Sequence, residues 1–362
     1  MKILLCTPYE PEIKKNAGGI AVWAKNVIDY YKKHTSDADV EVLPYNRTIY
    51  VHEGLNKIVR LYKGATDYIN LLLLTRRRLK KERFDVVHLC SSALWSIVRD
   101  YIVMLMAKRY GAAGVIHFHC GRIPGLAKAK NWRWRILKKV VEIAGATIVL
   151  DQQSYDVLTV RGYKNIHKVP NPLSEAMCDR IKELSNNVSR ISRRILFVGH
   201  VLPSKGVYEL AEASVNIPNV EVRLLGRVEE PVKSDLLKIN PKLEFLGEQS
   251  HDVVLEEMLA CDAFVFPSYT EGFPNVVLEA MACGTPIVAS SVGAIAEMLN
   301  DGDCGVLIEP RSTDAVYKAV VELLGNEAMK KRLSEKACYR VKEMYSMPSV
   351  WENLINVWNS AK

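Results

Sequence analysis

The sequence predicts an α/β protein of two doubly wound domains that face each other across a cleft. Three observations lead there. The chain has 362 residues, whereas a single hydrophobic core stops growing at roughly 250 to 300. Short apolar runs alternate with helix-period stretches through both halves, which is the pattern of parallel sheets joined by helical crossovers. Between about Asn171 and Arg194 the composition turns polar and charged (DRIKELSNNVSRISRR), as in a connection between domains. The expected division is a first domain over 1–171, a connection over 172–193 and a second domain over 194–345.

In the first half, Lys2 to Thr7 (KILLCT) reads as an apolar strand, and Gly18-Gly19 opens an amphipathic helix to about Lys33. Paired glycines permit unusual backbone angles and close approach to a ligand, although a plain turn fits them equally well. Val40 to Leu43 is a second strand, 55–83 a long helix, Phe84 to Cys90 a buried strand, Leu94 to Tyr110 a helix and Val115 to His119 a strand. The helix Asn131 to Ile143 puts Trp132, Trp134, Ile136, Leu137, Val140, Val141 and Ile143 on one broad side, with Arg135, Lys138 and Lys139 opposite. That pattern suits an interfacial membrane helix, and equally a surface helix with a solvated basic face. Ala146 to Leu150 closes the series before the turn VPNPLSE.

The second half begins with strand Ile195 to Val198, loop VGHVLPSKG and helix Val207 to Val215. Strands follow at Val220 to Leu225 and Leu243 to Leu246, and a helix from Ser250. The stretch 262–291 (DAFVFPSYTEGFPNVVLEAMACGTPIVASS) then gives strand Ala263 to Phe266, a Pro/Gly-punctuated loop with Glu271, a helix from Asn275 to Cys283 carrying Glu279, and strand Pro286 to Ala289. Such a loop lies at the carboxyl end of a parallel strand, where open α/β sheets bind ligands, and the free amides opening its helix favour an anion. A phosphate-bearing substrate is the first expectation. A last strand, Gly305 to Ile308, precedes helices over 312–344 and a final stripe of Trp351, Leu354, Ile355 and Trp358 at helical spacing.

Composition narrows the class. Hydrophobic residues make up 49% and charged residues 25%, an ordinary globular balance. No apolar run reaches the ~20 residues of a membrane span, and MKILLCTPYEPE turns polar too early for a signal peptide, so a cytoplasmic location is expected. Eight cysteines without a C-x-x-C pair argue against both a zinc site and a disulfide framework. The net charge of +8 is unevenly spread: 1–171 holds 29 Lys+Arg against 14 Asp+Glu, and the remainder 20 against 27. A basic first half suggests an anionic partner, a membrane surface or nucleic acid; no nucleic-acid reader motif accompanies the charge.

Four stretches together, AGGIA, VGHVLPSKG, FLGEQSHDVVLEEMLACDAFVFPS and EGFPNVVLEAMACGTPIVAS, resemble the retaining glycosyltransferases of family 4, with the GT-B architecture of two Rossmann-like domains. The last contains the family's E-x7-E pattern, and the resemblance runs over essentially the whole chain. It implies that Glu271 is catalytic and contacts donor-sugar hydroxyls, that Gly272, Phe273 and Asn275 bring the loop to sugar and phosphate, and that Glu279 accepts from the ribose. Lys205 is implied as the pyrophosphate cation, Gly18 and Gly19 as donor-side loop residues, and the terminal helix 346–362 as a segment packing back on the first domain. His200 stands where the family has Arg, and Cys120 where it often has Asp. Along the strand, His117 and His119 point the same way, so spacing does not separate them; the resemblance selects His119 as catalytic, near donor sugar and acceptor. Arg122 suits an anionic donor or acceptor, and a solvated role equally.

Moving a sugar from a nucleoside diphosphate requires holding a dianionic leaving group, orienting the sugar and excluding water. With no Asp-x-Asp pair suited to a bridging metal, side chains and helix amides must carry the positive charge, so neither metal nor other cofactor is expected. The implied reaction is transfer, with retention, from a nucleotide-sugar donor (UDP-sugar by family habit) to a lipid-linked oligosaccharide or polysaccharide acceptor in bacterial cell-surface polysaccharide assembly, peripheral to an anionic membrane. Retention is expected to proceed by front-face displacement with the leaving phosphate as base. A nucleotide-sugar epimerase or phosphorylase of similar build and a catalytically silent nucleotide-sugar-binding subunit are the alternatives; a dehydrogenase lacks its G-x-G-x-x-G after the first strand.

Overall fold

The computed structural model describes residues 1–9, 18–34, 38–45 and 57–362. The chain divides into two units, Met1–Pro172 with Met347–Lys362, and Leu173–Ser346. The first unit runs β1 (Lys2–Thr7), α1 (Gly19–Lys33), β2 (Asp39–Pro44), α2 (Lys57–Lys81), β3 (Val86–Ser91), α3 (Ile97–Arg109), β4 (Ala113–Phe118), α4 (Ile123–Ala129), α5 (Trp132–Ile143), β5 (Ala146–Val149), α6 (Gln152–Thr159) and β6 (Ile166–Lys168). Its six strands are parallel in the order β2-β1-β3-β4-β5-β6. Strands buried on both faces read as continuous apolar runs, which is why KILLC and VVHLC carry little polar alternation. The side chains Leu4, Val87, Leu89 and Ile116 meet α2, α3 and α5 on one face. On the other, Ile3, Leu5, Val86 and Val115 meet α1 and the C-terminal helix.

The second unit contains α7 (Glu175–Ser185), β7 (Arg194–Val198), α8 (Val207–Val215), β8 (Glu221–Leu225), α9 (Glu230–Ile239), β9 (Leu243–Gly247), α10 (His251–Ala260), β10 (Ala263–Phe266), α11 (Asn275–Ala282), β11 (Ile287–Ser290), α12 (Ile295–Met298), β12 (Val306–Ile308), α13 (Thr313–Leu324) and α14 (Glu327–Arg340). Its strands, again all parallel, lie in the order β12-β11-β10-β7-β8-β9. After a π-turn at Val341–Tyr345, α15 (Met347–Ser360) belongs to the first unit. There Trp358 is fully buried and its indole N–H donates to His88 Nδ1 at 2.9 Å. Burying that indole stabilises the first unit by about 3 to 5 kcal/mol relative to alanine.

Several elements differ from expectation. The polar stretch read as a connection forms α7, capped by Ser174 and packed through Ile181 and Leu184 into the second unit's core. Arg180 fixes α7 to α10 by a two-pronged contact with Asp252 at 3.1 and 2.8 Å. Its polar composition reflects one solvated face. Helix α5 buries Trp134, Leu137, Val140 and Val141 as its periodicity requires, but Trp132 is 40% exposed, at the first position of the helix and outside the buried stripe. The strand bearing the His-x-His pair ends at Phe118, one residue before His119. The start of the expected 55–83 helix lies partly outside the described residues.

Candidate active site

In the second unit the chain builds outward from β7 through β8 to β9, then returns to lay β10 on the other side of β7. Loops leaving the carboxyl ends of β7 and β10 therefore diverge, and the gap between them is where open α/β sheets take ligands. Both loops carry the residues in question. Lys205 ends a short 3-10 turn (Pro203–Lys205) after β7, and its Nζ donates to Glu271 Oε1, in the loop after β10, at 2.5 Å. Ser268 Oγ donates to the same oxygen at 2.6 Å. The carboxylate is thus aimed by one cation and one hydroxyl, with its side chain 12% exposed.

The two loops are tied together by backbone. Tyr269 N–H donates to Ser204 O at 3.0 Å, and Tyr269 Oη donates to Glu209 on α8 at 2.5 Å. Gly206 has φ +71, and a Cβ there would lie 2.0 Å from Pro267 O, so only glycine fits. Gly293, in the turn after β11, has φ +57 and presses on the Glu271 carbonyl, 2.4 Å from where its Cβ would sit. The next amide, Ala294 N–H, donates to Gly272 O at 2.9 Å. Phe273 closes the loop against the core, edge-on to Tyr345 at 5.8 Å.

Asn275 is the first residue of α11. Glu279 follows one turn later, 13% exposed at its side chain, with His251 Nε2 3.8 Å from its Oε1. Burial pushes the Glu279 carboxyl up to about 8. Burial also lowers His251, so neither partner is held charged by the other. His200, two residues after β7, is exposed. The structure does not bring it into the Lys205–Glu271–Ser268 hydrogen-bonded group.

In the first unit His119 stands directly after β4, its amide donating to Ser91 O at 2.8 Å. Its ring stacks on His117 with centroids 3.8 Å apart and meets Trp23 of α1 edge-on at 4.8 Å. His117 is fully buried and His119 only partly so, which separates the two histidines that spacing left equivalent. Burial and the neighbouring His119 and His88 hold His117 well below the ordinary imidazole range. The Cys120 thiol is buried and pushed up to about 11, so it stays protonated where a carboxylate would be charged. Arg122 is exposed at the start of α4. Gly18, capping α1, has φ −70, which any residue adopts, and a Cβ on Gly18 or Gly19 would meet nothing within 4 Å. Among the described residues, neither glycine is therefore required by backbone angle or packing.

His88, Cys90 and His117 place candidate ligand atoms within 4.8 Å of one another, a cluster that cysteine spacing did not reveal. Pairing of β3 with β4 sets Cys90 opposite His117 and puts all three on one face. Because Trp358 donates into His88 Nδ1, the neutral His88 ring carries its proton on Nε2. A metal-binding imidazole keeps one nitrogen bare for the metal and donates from the other. The donor set therefore does not fit a metal, and the cluster is an aromatic packing layer beneath α1 and α15.

Sequence reasoning missed Ser268, Tyr269, Glu209, Gly293 and Trp23. Ser268 and Tyr269 had a local signal, standing three and two residues before Glu271 in the same loop; Glu209 and Gly293 reach it by chain reversal, and Trp23 meets His119 in the first unit.

Residues 17–176 match the family described as Glycosyltransferase Family 4, and residues 180–339 match Glycosyl transferases group 1. An uncharacterized glycosyltransferase of Methanocaldococcus jannaschii, MJ1607, is 31% identical over 392 aligned residues, covering 100% of this chain and 98% of the relative. Among solved structures, Anabaena HepE in complex with UDP superposes with a TM-score of 0.70 at 16% identity, covering 99% of each chain. The lipopolysaccharide outer core galactosyltransferase WaaB gives 0.71 at 17% identity over 100% of each. At such identities the structures speak for the fold, while the full-length relative and the two family matches speak for descent. The chain belongs to the GT-B glycosyltransferases of the group 1, family 4 type.

Proposed function

We propose that this glycosyltransferase moves a hexose, with retention, from a UDP-sugar to a lipid-linked or polysaccharide acceptor in the assembly of bacterial cell-surface polysaccharide, at an anionic membrane. The observation that carries the transfer reading is the meeting of Lys205 and Glu271 at the point where strand order reverses. A diphosphate entering there finds a half-buried ammonium and the amides opening α11, which together stabilise negative charge developing on the leaving group. Glu271, freed from Lys205, accepts from donor-sugar hydroxyls and fixes the ring for attack. Glu279 accepts from the ribose. His119 is the first unit's catalytic residue in this reading, and Gly18 and Gly19 leave open backbone for a ligand. The UDP held by HepE supports the base, and WaaB's lipopolysaccharide substrate supports the acceptor class.

In this reading no metal bridges the phosphates, so chelation with EDTA leaves turnover unchanged. Retention follows a front-face path in which the leaving phosphate takes the acceptor proton while the new glycosidic bond forms; trapping a glycosyl adduct on Glu271 would overturn that path. The donor is tested by thermal shift with UDP-, GDP- and ADP-sugars, followed by transfer of labelled sugar to membrane lipid extract. A UDP-sugar that stabilises the protein, and whose label appears in the lipid fraction, supports the proposal. Hydrolysis or epimerisation without transfer overturns it.

A further inference from the structure

Helix α3 carries apolar side chains outward as well as inward. Its inward face holds Ile97, Val103, Met104 and Ala107, and also the ion-paired Arg99 and Asp100, with Arg99 Nη2 2.6 Å from Asp100 Oδ1. Its outward face holds a stripe at spacings of three and four: Trp95 just before the helix (65% exposed), Val98 (44%), the half-buried Ile102 and Leu105 (41%), ending in exposed Lys108 and Arg109. The flanking helices add exposed Ile69 and Leu73 from α2 and Trp132 from α5. Trp95 and Trp132 lie 5.4 Å apart, and the Arg133 guanidinium sits over both rings, at 5.3 and 5.8 Å. The indoles are thus held outward by a cation rather than buried.

An exposed apolar ridge of this kind marks an interaction surface rather than ordinary surface scatter. The charge around it selects the partner. Residues 57–139, which build this layer, hold 19 Lys and Arg against four Asp and Glu, and one of those four is the buried Asp100. Arg76, Arg77, Lys80, Arg135 and Lys139 are exposed on α2 and α5. A second copy of the chain would bring like charges together, and nucleic-acid bases could stack on the two indoles but offer no hydrocarbon to Val98, Ile102 and Leu105. Anionic headgroups over hydrocarbon satisfy both features.

We infer that the outer face of α2, α3 and α5 docks on an anionic lipid bilayer, with the ridge from Trp95 to Leu105 at the boundary of headgroups and acyl chains and the surrounding cations on lipid phosphates. This rests on the proposed membrane-bound acceptor and assigns the apolar contact to α3, with the basic side of α5 among the surrounding cations. The test is flotation of the full-length protein with vesicles of phosphatidylcholine alone or with about 30% phosphatidylglycerol, enough to set a negative surface potential. The Trp95→Ser/Val98→Ser/Leu105→Ser variant is compared with wild type, and the thermal midpoint of each is measured. Because all three side chains are exposed, the midpoint holds, while binding to anionic vesicles falls roughly tenfold or more as buried apolar area is lost. Equal binding by variant and wild type overturns the ridge and leaves the membrane reading standing. No binding of wild type to either vesicle overturns both. A wild-type dimer that the variant dissociates assigns the ridge to a second copy and overturns the lipid.

Discussion

Lys205 Nζ and Glu271 Oε1 meet at 2.5 Å across the strand-order reversal of the second unit. The cation proposed for the diphosphate is engaged by the carboxylate proposed for the sugar, so in that reading donor entry would exchange one ion pair for another. Lys205→Ala removes the partner of both. A hydrogen bond to a charged group contributes about 1.5 to 3 kcal/mol, so kcat/KM for the donor falls roughly 10- to 100-fold. Lys205→Arg restores part of it. Steady-state kinetics over donor concentration check this, and an unchanged value in Lys205→Ala removes Lys205 from the diphosphate site.

Glu279 supplies a pH dependence with a definite sign. Its carboxyl is pushed by burial from an ordinary value near 4.5 up to about 8. The folded chain therefore keeps a proton that the unfolded chain loses, and stability falls as pH rises across that window. Glu279→Gln abolishes this fall, so the variant gains thermal midpoint relative to wild type at pH 8.5 but not at pH 4.5. Donor affinity moves the other way: an ionised Glu279 accepts best from ribose hydroxyls, so wild-type affinity climbs through pH 8 while the Gln variant stays flat. Calorimetric titration with UDP at several pH values reads the difference.

Gly293 holds the Glu271 loop from behind. At φ +57, with Glu271 O 2.4 Å from the place a Cβ would take, any side chain forces the loop outward. Strained backbone and displacement each cost of order 1 to 3 kcal/mol. Gly293→Ala is expected to raise the donor KM more than tenfold while the second unit still folds, as reported by circular dichroism. A donor KM equal to wild type would show that the loop does not need this support.

The sequence carried the parallel alternation, and with it the two-sheet architecture, because strands buried on both faces and helices with one apolar stripe leave separate periodicities. The placement of Lys205 and Glu271 on the loops after β7 and β10, and of Glu279 on α11, was legible because they sit within long motif stretches. What surrounds them was not. Ser268 and Gly293 act on Glu271 through turns whose geometry no periodicity encodes, and Tyr269 meets Glu209 from 60 residues away. Helix α7 was hidden by its own solvated face, and the outward stripe of α3 because apolar residues at helical spacing mark a face without saying whether it is covered. Spacing left His117 and His119 equivalent; the structure separates them by burial, with His119 partly exposed beyond the end of β4 at Phe118.

The buried histidines of the first unit give the last prediction. His88 is pushed down to about 3 and His117 well below its ordinary value, both by burial. Below pH 6.5 the unfolded chain takes up protons on these rings that the folded chain refuses, so stability rises with pH up to that point and falls on acidification. Each histidine contributes about 1.4 kcal/mol per pH unit to that slope. Neither ring nitrogen of His117 has a hydrogen-bond partner among the described residues. His117→Leu therefore removes both an unsatisfied buried group, which costs about 1 to 3 kcal/mol, and that residue's share of the acid slope. Urea denaturation at pH 7.0, 6.0 and 5.0 is expected to show the variant at least as stable as wild type at neutral pH and increasingly more stable below it. Parallel pH profiles for the two proteins would mean that His117 protonates in the folded state, and the packing layer beneath His119 would then be charged rather than neutral.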